Sequence, residues 1–232
     1  MKFSISIISL FISSVLFSQP VKQAPNLPEF DYRPLNFGFL IGLNTMNYYV
    51  VHKENIPLGA ARRYADVLSY SPGLNLGMVT NYRINKHFGL RILPGITFGQ
   101  RDLLFINEEG VADKNPLELK STYLECPMLI KYNGARMMNA KPFFIFGMNV
   151  RYDLAKSKKD GLLINPFDVY WEFGAGIDSY MAYFRLSTEF KISIGMMNVL
   201  NPKGTDEYED IYYTAVLDKL LSRIFVLTFY FE

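Results

Sequence analysis

The chain alternates apolar and polar positions with a period of two through most of its length, the signature of strands with two different faces. Eight segments carry it. In residues 35–46, Phe37, Phe39, Ile41 and Leu43 oppose Gly38, Leu40, Gly42 and Asn44. In 74–84, Leu74, Leu76, Met78, Tyr82 and Ile84 oppose Asn75, Gly77, Asn81 and Arg83. Residues 88–102 continue the pattern, with Pro94 marking a bulge or bend because proline has no N–H for a ladder. Residues 119–132, 142–154, 169–179 and 184–195 alternate as clearly; 223–231 is apolar on both faces, so its parity is open.

The polar faces hold Arg91, Arg101, Lys131, Arg151, Arg185 and Lys191, together with Glu125, Asp153, Glu172, Asp178 and Glu189. Periodicity alone fits either a soluble sandwich or a membrane barrel. Two features favour the barrel. Residues 1–18 read as a signal peptide: Lys2, then an apolar run from Ile5 to Phe17, then Ser18 before Gln19. The opposing faces are also bulky in Phe, Ile and Leu, which suits lipid. A lysine or arginine on the lipid face near the midplane costs about 2–4 kcal/mol, so these charges must point inward, with glycines making room for them. The fold expected is an all-β, eight-stranded antiparallel transmembrane β-barrel with a filled polar interior.

Connections alternate long and short: 47–73, 103–118, 155–168 and 196–222 are long, whereas those at Asn85-Lys86, 133–141 and near Ala182 are short. In bacterial barrels long loops face outward and short turns face the periplasm, which puts both termini in the periplasm. Residues 19–34, with Pro20, Pro25, Pro28 and Pro34, read as an extended periplasmic lead-in, and 35–232 as the barrel. Residues 217–221 (LDKLL), with Tyr212, Tyr213 and Val216, also fit a short amphipathic helix in the last loop, although a packed loop segment is favoured.

Composition agrees. Aromatic residues make up 16% of the chain, and a mean hydropathy of +0.06 is too low for a helical membrane bundle. A net charge of +2 gives no pull toward nucleic acid. A single cysteine, Cys126, excludes an internal disulfide framework and reads as a small apolar strand residue.

No catalytic constellation or cofactor motif stands out, and neither a cofactor nor a small-molecule substrate is expected. His52, in a predicted outer loop, and His87, at a turn on the other side of the membrane, cannot share a metal. A base at His52 near Ser69 or Ser71 is the only enzyme candidate, of the lipid-modifying kind, and chance proximity explains it better. The acidic run 206–210 (DEYED) reads as a solvated loop face rather than a calcium site. Eight strands enclose an interior just wide enough for side chains to fill, so a pore is not expected.

Several blocks resemble the PorT (SprT) family: NLPEFDYRPL from Asn26 running into FGFLIGLNTM from Phe37, PGITFGQR from Pro94, STYLECPMLIKY from Ser121, RYDLA from Arg151 and NPFDVYWE from Asn165. The STYLECPMLIKY block has counterparts in many Bacteroidetes outer-membrane barrels; the lead-in and RYDL blocks sharpen the resemblance. It implies a non-enzymatic outer-membrane role in type IX protein secretion, and in gliding motility where that occurs, with other secretion subunits as partners. No site residues are carried over with it. The physical reading favours an accessory or assembly subunit over the conduit. The alternatives are a generic small outer-membrane barrel for adhesion or envelope stability, or a lipid-modifying enzyme.

Overall fold

The computed structural model describes residues 25–52, 64–67, 71–106, 117–155, 158–159, 162–163, 165–199 and 217–232. Strands β1 (Leu35–His52), β2 (Tyr64–Val67), β3 (Pro72–Arg83), β4 (Phe88–Ile92), β5 (Gly95–Ile106), β6 (Leu117–Asn133) and β7 (Ala140–Asp153) come first. They are followed by β8 (Lys158–Lys159), β9 (Leu162–Leu163), β10 (Phe167–Tyr180), β11 (Arg185–Gly195) and β12 (Leu217–Phe231). A 3-10 turn at Phe30–Tyr32 precedes them.

Every long neighbouring pair is antiparallel, and β1 pairs with both β3 and β12, which closes the sheet. Taking β4 with β5 as one stave, the wall has eight: β1, β3, β4–β5, β6, β7, β10, β11 and β12. Closure gives every stave a partner on both sides, the condition for a sheet to sit in lipid. Phe39 stacks on Phe231 across the closing seam at 4.8 Å between ring centroids.

The predicted proline irregularity is a bend, not a bulge. Thr80 pairs with Ile92 and Gly77 with Gly95, so equal numbers of residues separate the two pairs on each strand. No residue is inserted. Pro94 cannot donate, but its carbonyl accepts from Met78 N–H at 2.9 Å, and Leu93 N–H donates to the Pro127 carbonyl at 3.0 Å.

Other expectations change at the long-loop end. The first stave runs on to His52 instead of stopping at Met46, and β2, pairing with β5, lies inside the predicted 47–73 loop. His52 is therefore a strand residue, paired with Leu217. Leu217 to Leu221 are strand as well, not a helix: the extended β1 offers an edge, and pairing Leu220 and Leu221 with Val50 and Tyr49 satisfies more backbone than an isolated helical turn. The 155–168 connection contains the β8–β9 hairpin. The predicted signal segment 1–18, the acidic run 206–210 and Ser69 lie outside the described residues.

The wall is inverted relative to a soluble protein. Phe37, Met78, Met128, Phe144 and Phe190 are more than half exposed, whereas Arg91, Lys131, Arg151, Glu172 and Asp178 are wholly buried. In β12 the open parity resolves with Ser222, Ile224, Val226, Thr228 and Tyr230 inward. Glycine makes room inside as the pattern requires: a Cβ on Gly176 would sit 2.5 Å from the Phe143 ring, which occupies that space instead.

Candidate functional site: a charged lumen and a clasped mouth

Strand parity delivers all eleven predicted interior charges to the lumen. Arg91, Arg101, Glu125, Lys131, Arg151, Asp153, Glu172, Asp178, Arg185, Glu189 and Lys191 are each at most 8% exposed. Their direct ion pairs group in storeys along the barrel.

The storey nearest the short turns centres on Asp178 and Glu189. Lys131 Nζ reaches Asp178 at 2.6 Å, and Ser187 donates to the same carboxylate at 2.6 Å. Arg91 pairs with Glu189 at 3.0 Å, with the Tyr230 ring 4.5 Å from its guanidinium. Arg185 adds Glu232, the last residue of the chain, at 2.6 Å.

The middle storey holds Glu125 and Glu172. Arg151 bridges them at 2.7 and 3.3 Å, and Asn149 donates to both at 2.9 and 2.8 Å. Lys191 meets Glu172 at 2.8 Å, and Thr97 donates to Glu125 at 2.7 Å. Burying charges costs free energy unless partners satisfy them, and here each carboxylate has several.

The storey nearest the long loops is different. Arg101 donates to the hydroxyls of Tyr48, Tyr123 and Ser222 at 2.7–2.8 Å, with the Tyr48 ring 4.3 Å from its guanidinium. Asp153, buried at the end of β7, accepts from the backbone N–H groups of Thr122 and Ala155.

The lead-in is more than an extended tail. Its described part folds over the short-turn mouth. Phe30 is buried edge-on against Tyr180, with the Arg185 guanidinium 4.5 Å from its ring. Asp31 accepts from Tyr180 OH at 2.6 Å, Lys141 Nζ at 3.0 Å and Arg136 Nη1 at 3.0 Å. Asn26 donates to the Asn139 side chain and the Tyr180 carbonyl. The sequence offered no periodicity to signal this clasp, whose partners lie more than 100 residues away. Glu232 was missed because its strand's parity was open.

Burial alone would raise the Asp31 carboxyl, but hydrogen bonds from Tyr180, Lys141 and Arg136 hold it below the usual aspartate range. A lowered native pKa stabilises the docked state above the unfolded value and loses that contribution as pH falls. The clasp is therefore expected to hold at neutral pH and loosen as pH drops through and below 3.8. A fluorophore at position 32 should report the release, and Asp31→Asn should abolish its pH dependence; an identical acid transition in Asp31→Asn would refute the assignment.

The histidines stand at opposite ends. His87, in the β3–β4 turn, has its ring Nδ1 3.2 Å from the Asn133 carbonyl, and His52 ends β1. Among the described residues no three His, Cys, Asp or Glu side chains converge as metal ligands. Cys126 is half-buried on the outer wall.

Three solved structures are similar in fold. OprG from Pseudomonas aeruginosa is 12% identical, with 85% of this chain and 91% of that chain covered, at a TM-score of 0.40. Ail, the attachment invasion locus protein of Yersinia pestis, is 10% identical, with 84% and 96% covered, at 0.35. AlkL, solved in lipid bilayers, is 12% identical, with 93% of each chain covered, at 0.38. No curated protein matches the sequence. The outer membrane protein beta-barrel domain family matches residues 17–201, most of the chain. With the closed eight-stave wall, its apolar exterior and its charged interior, this chain belongs to the outer membrane protein beta-barrel domain family and sits in the outer membrane bilayer.

Proposed function

We propose that this barrel is a non-enzymatic component of the type IX protein secretion system, an accessory or assembly subunit rather than the conduit. The observation that carries the second half is the packed lumen. Ion pairs at 2.6–3.3 Å occupy the interior at two levels, and Phe30 is buried at the short-turn mouth. A passage for folded or unfolded cargo needs a far wider bore than eight staves enclose. The first half rests on the resemblance to PorT-like sequences. In this reading the short turns and both ends of the chain face the periplasm, the long loops face outward, and the direct partners are other secretion subunits. Gliding motility would depend on it in organisms that glide.

The test is a deletion strain. Cargo bearing a C-terminal sorting domain is expected to disappear from the medium, with the protein recovered as a heat-modifiable outer-membrane band. Unchanged cargo secretion would sink the secretion role and leave a barrel for adhesion or envelope stability. Altered lipid A with normal secretion would instead favour the lipid-modifying reading at His52.

A further inference from the structure

We propose that the short-turn mouth is a docking site for an acidic peptide segment of a soluble protein. Beside the clasp lies a groove of about 570 Å³ lined by Arg83, Lys86, Arg136 and Lys141, with Asp31 and Tyr32 from the lead-in. The described residues of this end carry five cations outside the buried pairs, Arg33, Arg83, Lys86, Arg136 and Lys141, against two carboxylates, Glu29 and Asp31.

Asp31 is already shared between Arg136 and Lys141. Lys86 is exposed and meets no carboxylate among the described residues. Arg83 uses Nε on the Asn85 carbonyl at 3.2 Å and lies 5.8 Å from the Tyr32 ring, leaving its terminal amino groups available. Clustered cations repel one another, and an incoming anion relieves that repulsion. Apolar surface adjoins them: Tyr32 is 78% exposed, and Met138 is 54% exposed. A carboxylate-bearing peptide with apolar side chains matches both features.

Geometry favours a soluble partner over phospholipid headgroups. Arg83 continues the inward parity of Val79 and Asn81, and Lys141 that of Phe143 and Ile145. Their side chains therefore rise inside the ring of turns, not toward the bilayer. The outer-wall aromatics at that height, Tyr82, Phe88 and Tyr132, do not line the groove. The partner's compartment follows from the orientation proposed above, but binding does not depend on that orientation or on the secretion role.

The test uses the full-length barrel in phosphatidylcholine nanodiscs and fluorescent poly-glutamate, with poly-lysine of equal length as control. Saturable, salt-sensitive binding of poly-glutamate alone is expected, weakened about tenfold in Arg83→Gln with Lys86→Gln. That pair of substitutions leaves the Asp31 clasp intact, and unchanged heat-modifiability would show that the barrel still folds. Failure to bind poly-glutamate, or equal binding by the double variant, would overturn the proposal. Co-purifying phosphatidylglycerol that the double variant loses, without peptide binding, would overturn it in favour of a headgroup site.

Discussion

Glu172→Ala is expected to destabilise the barrel by about 3–5 kcal/mol, the cost of stranding charges whose buried partner is removed. Glu172 is wholly buried and receives Arg151 at 3.3 Å, Lys191 at 2.8 Å, Asn149 at 2.8 Å and Ser193 at 2.9 Å. Arg151 keeps Glu125 after the change, but Lys191 loses its only direct carboxylate among the described residues. Glu172→Gln retains acceptor capacity for Asn149 and Ser193 and should cost less. Adding Lys191→Met to Glu172→Ala should recover part of the loss, because removing both members of a buried pair avoids the unpaired charge. Trp171, the only tryptophan, lies on the outer wall next to Glu172, so its fluorescence can follow urea unfolding in lipid vesicles. A loss under about 1 kcal/mol, the scale of a surface pair, would mean that water reaches this storey.

That storey was legible in the sequence to a definite depth. Glu125, Arg151, Glu172 and Lys191 each sit at an inward parity that the alternation shows, and lipid leaves charges no other place to go. Which cation meets which anion was not legible, because partners depend on the relative shift of neighbouring strands. Arg151 faces Glu125 directly across β6–β7, yet it also reaches Glu172, which is paired in register with Gly147 and Ser193. Asp153 shows the limit from the other side: parity gives its inward direction, but not that the backbone N–H groups of Thr122 and Ala155 reach its carboxylate at the end of β7.

The ends of the staves were less legible than their middles. Leu217, Leu220 and Leu221 fit a helical face as well as a strand, and only the long-range edge supplied by β1 decides between them. The lead-in was opaque for a related reason. Prolines exclude a central strand, but nothing local reveals that Asp31 will meet Arg136, Lys141 and Tyr180. The mouth groove inherits that opacity, since two of its six key residues belong to the lead-in and the rest to separate turns and strand ends.

Met128→Arg should cost about 2–4 kcal/mol and reduce insertion, because position 128 faces lipid near the middle of the wall. Its outward neighbours along β6 are Leu124 and Cys126 on one side and Ile130 and Tyr132 on the other, so it is central among the five. On the neighbouring strands it pairs with Ile92 and Met148, both apolar, so neither cross-strand partner offers an introduced guanidinium an anion. Met137→Arg is the control: that side chain is 64% exposed, comparable to Met128 at 58%, but it lies in the β6–β7 turn beyond the strands. It should be nearly neutral. In a soluble β-fold both substitutions would place a charge in water, and neither would matter. The contrast between two equally exposed methionines thus isolates the solvent around the wall. Equal refolding yields for the two variants in lipid vesicles would contradict a bilayer at position 128, while a deficit confined to Met128→Arg is what an apolar wall in lipid requires.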